Sequence, residues 1–259
     1  MILENYVAID LEMTGLNTKR DKILEIGAVR VKNKKIEDTY QALIDPHLEL
    51  QAEIVELTGI TNEMACGGRE IDQVMPEIVA FCGDFVLLGH NIIFDYGFLK
   101  QAARNCDLEF EHRGMDTLKL ARKLLPPEEK KTLQTLCDRF GIVRERRHRA
   151  LDDAKAAGEL YEILETAYEA RQPEVFQPYP LVYKVKKLQP ATKRQKIHLK
   201  ELAEYHQLKL SVSWETLTKN EASRQIDKII AQHGRMPKQE NKLEMVSNLS
   251  ESADKRIQE

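Results

Sequence analysis

The chain has 259 residues, 42% of them hydrophobic and 31% charged, a composition that suits a globular protein with one large domain or two smaller ones. Its formal net charge of −3 is unevenly spread, because residues 1–173 hold 23 Lys and Arg against 31 Asp and Glu whereas residues 174–259 hold 16 against 11, an arrangement found in nucleic-acid proteins. No apolar run approaches the ~18–20 residues of a membrane-spanning helix, which excludes a membrane protein of that class.

The first 170 residues alternate between strand and helix signals. The apolar run YVAID (6–10) predicts a buried strand, and the segments at 22–31 and 35–44 predict a hairpin. The further predicted elements, in chain order, are helices over 52–61 and 70–83, a buried strand over 85–91, a helix over 94–105, a strand end that runs into a helix over 114–125, and helices over 132–141 and 150–170. This order predicts an α/β domain with a mixed central sheet flanked by helices.

The rest of the chain predicts a separate module. Prolines at 173, 178 and 180 interrupt the last helix of the first domain, so we place that domain at 1–172 and a linker at 173–191. Two amphipathic helices predict a small helical module over 192–234, in which Thr218 and Glu221 fit a capping box. The polar residues 235–259 predict a disordered tail.

Neither the amino terminus nor the cysteines indicate export. The segment MILENYVAID lacks the basic flank and the apolar stretch of a signal peptide. The four cysteines form no CxxC pair and no zinc-binding pattern. We therefore expect reduced thiols and a cytoplasmic location.

Two carboxylates end the first predicted strand. Asp10 and Glu12 stand two residues apart in YVAIDLEMTG, so on an extended segment their side chains point to the same face. Such a pair repels unless a cation lies between its members, and carboxylate oxygens favour Mg²⁺ or Mn²⁺. The alternative is a solvent-facing pair on an edge strand, although the flanking apolar residues favour a buried strand.

Further acids stand at the starts of two predicted helices. Asp95 follows an apolar strand in GHNIIFDYGFL, and Asp153 lies in HRALDD next to its rival Asp152. About 100° of helix rotation separates two successive residues, so only one of this adjacent pair can face a given site. Each position also suits an acid that stabilises a helix N-terminus, and the residues alone leave both interpretations open.

A histidine, His148, stands five residues before Asp153. Residues five apart do not share a helix face, so a joint role requires His148 in the loop before the helix and Asp153 in its first turns. Histidine titrates near neutral pH, which suits proton transfer in such a place.

Together these segments resemble the DEDDh group of 3′–5′ exonucleases, which includes the proofreading epsilon subunit of bacterial DNA polymerase III and ribonuclease T. The family motifs DxE followed by TG, HNxxFD and HxAxxD stand here as DLEMTG, HNIIFD and HRALDD, and the third motif selects Asp153 over Asp152. The fragments EIGAV (25–29), LTGIT (57–61), DTLKLAR (116–122) and LQTLC (133–137) are also similar to the family. The resemblance covers residues 4–168, with one departure at Met13, where the family more often has a small polar residue.

The resemblance implies a ribonuclease H-like fold and a two-metal mechanism. Two Mg²⁺ or Mn²⁺ ions per active site would stand roughly 3.5–4 Å apart. Their ligands would be Asp10, which would bridge them, and Glu12, Asp95 and Asp153. His148 would act as general base toward a water molecule, from a loop that moves with substrate and product.

It also implies contacts to the 3′-terminal nucleotide. Met13 would make them mainly through its backbone, with Thr14 and Gly15 beside it. Leu16 would wedge against the terminal base and Asn91 would hydrogen-bond to the nucleotide, although ordinary turn chemistry is the alternative for both. The arginines of RERRHR (144–149) would attract phosphates, or would belong to a solvated loop.

The implied activity is metal-dependent removal of 5′-mononucleotides from the 3′ end of nucleic acid, single-stranded or with a free 3′ end, in proofreading, repair or trimming, with DNA favoured. The chain shows no polymerase domain, so a polymerase or repair protein would act in trans. Two alternatives stay open. One is an RNA 3′ exonuclease, since the motifs do not read the sugar. The other is a catalytically idle nucleic-acid-binding or polymerase-associated module, against which the complete set of acids and histidine speaks.

Overall fold

The computed structural model of the chain describes residues 3–146, 148–210 and 212–236. Its contacts divide the chain into two compact units. The first holds the residues up to Gln189 together with 212–213, and the second holds Pro190–Leu210 and the described residues from Trp214 onward. The disordered tail predicted over 235–259 lies outside the described residues from position 237 on.

A mixed sheet of six strands forms the centre of the first unit. The strands are β1 (Tyr6–Met13), β2 (Ile23–Lys32), β3 (Lys35–Leu43), β4 (Val86–Gly89), β5 (Arg113–Asp116) and β6 (Tyr179–Pro180). Their order across the sheet is β3-β2-β1-β4-β5-β6. The strand β1 runs antiparallel to β2 and parallel to β4, so it lies in the interior of the sheet. This confirms the predicted mixed sheet.

Helices cover both faces of this sheet. They are α1 (Ala52–Thr58), α2 (Asn62–Cys66), α3 (Ile71–Cys82), α4 (Ile93–Asn105), α5 (Thr117–Leu124), α6 (Leu133–Phe140) and α7 (Ala150–Tyr168), followed by a 3₁₀ helix at Pro173–Phe176. Alternate residues of β1 point into two separate apolar clusters. Val7 and Ile9 pack with residues of α3 and α4, whereas Tyr6 and Ala8 pack with residues of α5, α6 and α7.

The segment after α7 joins the first sheet before it leaves the unit. β6 pairs antiparallel with β5, with Tyr179 opposite Gly114. Pro180 can take part because it lies on an edge strand, where a missing backbone N–H leaves no partner unsatisfied. The residues that we predicted as a linker over 173–191 therefore include a 3₁₀ helix and the outermost strand.

The second unit contains two helices, α8 (Lys193–Tyr205) and α9 (Lys219–His233). The capping box predicted at Thr218 and Glu221 is present, and Thr192 with Gln195 forms another at the start of α8. Trp214 is partly exposed, at 37%. None of the helices among the described residues is both long and apolar enough to span a bilayer.

Candidate active site

Asp10 and Glu12 lie on the face of β1 that α7 covers. Tyr6 and Ala8 pack against α7, and alternation along the strand places Asp10 and Glu12 on that same face. Glu12 is 8% exposed and Asp10 is partly buried. Since β1 is an interior strand, the pair does not face solvent from a sheet edge.

Asp95 lies in the first turn of α4 and is tied to β1. Its Oδ1 accepts a hydrogen bond of 3.0 Å from the backbone N–H of Leu11, the residue between Asp10 and Glu12. Its pKa is raised to about 7 because burial disfavours the charged form more than the hydrogen bonds from backbone N–H groups favour it. Asp95 therefore sits beside the carboxylate pair of β1.

Asp152 and Asp153 are both buried in the first turn of α7 but take different partners. A carboxylate oxygen of Asp153 lies within 4.8 Å of one from Glu12. Asp153 also forms an ion pair with Arg144. Asp152 pairs instead with Arg146, at 3.3 Å between Nε and Oδ2. The structure thus brings Asp153 beside Glu12.

His148 lies in the segment that joins α6 to α7 and is exposed. One of its ring nitrogens lies within 4.8 Å of carboxylate oxygens from both Glu12 and Asp153. Its backbone φ is +54°, in the left-handed region, where a residue with a side chain is strained by about 1–2 kcal/mol. The loop therefore holds the imidazole over the acids at some cost in backbone energy.

The other histidine near this sheet edge, His90, is occupied by structural contacts. Its Nδ1 lies 3.0 Å from Thr117 Oγ1 and its Nε2 lies 2.9 Å from the backbone oxygen of Lys131. Burial lowers the pKa of His90. With both ring nitrogens engaged, His90 fixes the segment after β4.

The acids of this site act on one another electrostatically. The pKa of Asp10 is raised well above its usual value, first by burial and then by repulsion from Asp95, Glu12 and Asp153. Burial and, next, the Asp153 carboxylate raise the pKa of Glu12 to about 8. Crowded carboxylates of this kind gain free energy when a cation enters, and their hard oxygen atoms suit a divalent metal ion. The residues present therefore fit a divalent-metal site.

Asn91 follows β4 at the same sheet edge. The register of the parallel pair places Ala8 opposite Leu88, so β4, which ends at Gly89, stops beside the part of β1 that leads into Asp10. Asn91 has a φ of +68°, and its backbone N–H donates to Asp116 Oδ1 at 2.9 Å. Asp116 caps the start of α5. The sequence did not indicate it as a site residue, although it is the first residue of DTLKLAR, a fragment similar to the DEDDh family.

The other predicted nucleotide contacts lie at the end of β1 and in the turn that follows it: Met13, Thr14, Gly15 and Leu16. The backbone N–H of Thr14 donates to the Lys22 oxygen, and the Lys22 N–H donates to Thr14 Oγ1, both at 2.9 Å. A Cβ on Gly15 would lie 2.4 Å from a carboxylate oxygen of Asp21, so a side chain there would require the Asp21 carboxylate to move. Leu16 is 68% exposed, which leaves an apolar side chain open to a ligand.

The arginines before α7 pair with acids. Arg144, Arg146 and Arg149 bind Asp153, Asp152 and Glu25 in that order, whereas Arg147 lies outside the described residues. For this cluster, RERRHR, the sequence left phosphate attraction and a solvated loop open, and the structure adds these ion pairs with acids. The pair of Arg149 with Glu25 could not be predicted from the sequence, because 124 positions separate its two members.

Glu25 lies next to the site, although the sequence did not indicate it as a site residue. It is fully buried on β2 and stands opposite Glu12 in the β1–β2 register. Burial works against its charged form, but hydrogen bonds from Arg149, Gln41 and the Ala150 N–H outweigh it and lower the pKa of Glu25. The fragment EIGAV, which is similar to the DEDDh family and begins with Glu25, was the one feature of the sequence that pointed to this residue.

Comparison with known proteins covers most of the first unit. The family described as Exonuclease matches residues 7–161. The chain is 41% identical over 157 residues to a PolC-type DNA polymerase III of Clostridium perfringens. The matched segment covers 61% of this chain and 11% of that protein. It is 44% identical over 156 residues to a PolC-type DNA polymerase III of Halalkalibacterium halodurans, covering 60% and 11%. The chain thus spans about a tenth of the length of these curated relatives.

Solved structures share the fold. Escherichia coli exonuclease I in complex with a dT13 oligonucleotide has a TM-score of 0.58 at 20% identity, over 67% of this chain and 42% of that one. The nuclease domain of 3′hExo, a DEDDh family member bound to rAMP, has a TM-score of 0.55 at 21% identity, over 64% and 94%. These likenesses confirm the predicted ribonuclease H-like fold with its mixed sheet.

Proposed function

The chain belongs to the DEDDh-type exonuclease family, and from this premise we propose that it hydrolyses DNA from the 3′ end and releases 5′-mononucleotides. The observation that carries the proposal is the convergence of four acids, from β1, α4 and α7, beneath one exposed imidazole. The acids are Asp10, Glu12, Asp95 and Asp153, and the imidazole belongs to His148. A binding module without activity has no need of this set.

We propose that these four acids hold two Mg²⁺ or Mn²⁺ ions. The raised pKa values of Asp10 and Glu12 support this. They show that the ionised carboxylates are unfavourable at the site without a cation, so that a bound cation would stabilise them. When bound, such ions acidify water and stabilise the charge on the reacting phosphodiester. Asp95 is supported as a ligand by its bond to the Leu11 N–H, which holds its carboxylate next to the β1 pair.

His148 is proposed as the general base. Its ring nitrogen near Glu12 and Asp153 can take a proton from an attacking water molecule. Its exposure lets the proton leave to solvent afterwards. His90, with both nitrogens engaged, does not compete for this role.

The turn after β1 is proposed to hold the terminal nucleotide. Leu16 is exposed and can pack against a base, while Met13, Thr14 and Gly15 offer backbone groups beside the metal ligands. Asn91 can hydrogen-bond to the nucleotide from the neighbouring end of β4. All five positions lie at or beyond the carboxyl ends of adjacent parallel strands, where α/β sheets place their ligands.

DNA is the favoured substrate because the relatives at about 40% identity are DNA polymerases. We propose a polymerase or a repair protein as a partner, because these relatives are DNA polymerases. A cytoplasmic location belongs to the same proposal. We also propose residues 1–172 as the exonuclease domain and 192–234 as an accessory helical module, which the division into two compact units near residue 190 supports. The segment 173–191, which we predicted as a linker, connects them and contributes β6 to the sheet of the first unit.

The direct test incubates the purified chain with 5′-labelled single-stranded DNA or RNA, with Mg²⁺ or EDTA. We expect stepwise shortening of the DNA from its 3′ end, release of 5′-mononucleotides and complete inhibition by EDTA. Asp10→Ala should be essentially inactive, whereas Asp38→Ala, which removes an exposed acid from β3, should keep full activity. Internal cuts, or an active Asp10→Ala protein, would reject the proposal, and faster shortening of RNA would assign the alternative substrate.

A further inference from the structure

Glu25 and Arg149 form a nearly buried ion pair beside the carboxylates. The Glu25 side chain is fully buried, and that of Arg149 is 16% exposed. Arg149 Nη2 donates to Glu25 Oε1 at 2.7 Å, and Arg149 Nε donates to Oε2 at 3.0 Å, so the guanidinium binds the carboxylate in a two-pronged manner. Gln41 Nε2 adds a third hydrogen bond, at 2.7 Å to Oε1.

We propose that Glu25 is a positioning residue that, through Arg149, fixes the start of α7 so that His148 and Asp153 stay beside Glu12. The inference rests on the proposed function, since it gives these residues a role in catalysis. Glu25 lies on β2, outside the three family motifs, so the inference adds a functional residue that those motifs do not include.

Glu25 performs the task of a helix cap from a neighbouring strand. α7 begins after Arg149, whose side chain makes no capping hydrogen bond to the helix. The N–H of Ala150, the first residue of α7, donates instead to Glu25 Oε2 at 3.1 Å. The carboxylate thereby satisfies a free N–H group and places negative charge at the positive end of the helix.

Arg149 connects this anchor to the functional residues on both sides. Its backbone oxygen accepts hydrogen bonds from the N–H groups of Asp152 at 2.9 Å and Asp153 at 3.0 Å. His148 precedes it directly in the chain. A shift of Arg149 away from Glu25 would therefore move the imidazole and the Asp153 carboxylate together.

The backbone of α7 is pressed against β2 at the same place. Gly27 lies two residues from Glu25 and on the same face of the sheet. A Cβ on Gly27 would lie 2.1 Å from Leu151 N and 2.2 Å from the Ala150 carbonyl carbon. Both residues belong to EIGAV. Glu25 thus holds the N-terminus of α7 through the Ala150 N–H, and Gly27 allows the α7 backbone to lie close against β2.

A purely structural role is the competing explanation, and the chain supplies a matched control for it. At the other end of α7, Glu165 is 3% exposed and pairs with Lys34 Nζ at 2.6 Å. Tyr161 OH donates to Glu165 at 2.6 Å. Replacing Glu165 removes a similarly buried charge that also contacts α7. It leaves the contacts at the first turn of α7, which lies next to Glu12, unchanged.

The experiment compares Glu25→Gln, Arg149→Lys and Glu165→Gln with the wild-type chain. For each protein we would measure the Tm, the Mn²⁺ affinity by calorimetry without nucleic acid, and kcat and KM on a single-stranded DNA oligonucleotide. We expect Glu25→Gln to lose roughly 10–100-fold in Mn²⁺ affinity and in kcat, with little change in KM, as for residues that orient metal ligands. Arg149→Lys, which keeps the charge but loses the two-pronged geometry, should fall between Glu25→Gln and the wild type.

The control decides between the two explanations. Glu165→Gln should lower the Tm and leave Mn²⁺ affinity and kcat within about twofold of the wild type, since it removes no interaction with the site. The inference is overturned if Glu25→Gln keeps wild-type Mn²⁺ affinity, or if Glu165→Gln loses as much affinity as Glu25→Gln. A wild-type chain that binds Mn²⁺ but shortens no nucleic acid would refute the proposed function alone, because the affinity comparison would still stand.

Discussion

Neutralising Glu12 should stabilise the protein in the absence of metal while it removes activity. In the folded chain the pKa of Glu12 is raised to about 8 from an ordinary value of 4.5. The folded state therefore binds the Glu12 proton more tightly than the unfolded state, and stability is lost as pH rises from about 4.5 toward 8. Glu12→Gln keeps the side-chain shape and removes the ionisation.

The size of the effect follows from this shift in pKa. Each pH unit between the two pKa values costs about 1.4 kcal/mol, which amounts to about 4 kcal/mol at pH 8 for a group as buried as Glu12. A protein of this size changes its Tm by roughly 2–4 °C per kcal/mol, so the variant should melt on the order of 10 °C higher at pH 8. At pH 5 the two proteins should melt within a few degrees of each other.

The assay is thermal unfolding in EDTA between pH 5 and 8, followed by far-UV circular dichroism. Tryptophan fluorescence is unsuitable because the single tryptophan, Trp214, lies in the second unit. His90 and His112, whose pKa values burial lowers, titrate in both proteins and cancel in the comparison. Glu53→Gln, at an exposed site in α1, controls for loss of a charge. An equal pH dependence for Glu12→Gln and the wild type would refute the reasoning.

Three further substitutions test the site by kinetics and melting. His148→Ala should lower kcat by roughly 10²–10⁴-fold, the usual share of a general base, with an unchanged Tm, and unaltered kcat would exclude His148 from that role. Gly27→Ala should cost about 1–3 kcal/mol and most of the activity, because its Cβ meets the α7 backbone, whereas Gly158→Ala on α7, with 3.4 Å to the nearest atom, should be tolerated. Leu16→Ala should raise KM for DNA by roughly tenfold without loss of Tm, since burying a leucine against a base is worth about 1.5–3 kcal/mol; a KM equal to that of the wild type would show that no base packs there.

The sequence was most informative where chemistry and local pattern coincide. Asp10 and Glu12 could be placed on one face of a buried strand because strand alternation is local and the apolar neighbours are adjacent in sequence. The long helix α7, which begins within HRALDD, was likewise predictable from its apolar spacing. In both cases the determining residues lie within one element.

Very short elements, and elements that depend on distant partners, were not predictable. α2 has five residues and is set mainly by the Thr61 cap, so it leaves little periodic signal. β6 has two residues, one of them a proline, and exists because β5 offers it an edge. The role of Glu25 escaped for the same reason, since its partner Arg149 is 124 residues away.

The central claim, that four acids from distant parts of the chain form one divalent-metal site, is tested most directly by anomalous diffraction from a crystal soaked in Mn²⁺. The account predicts manganese peaks bound by carboxylate oxygens of Asp10, Glu12, Asp95 and Asp153, and their loss in an Asp10→Ala crystal. Manganese bound elsewhere, or no manganese near these oxygens at saturating concentration, would contradict it.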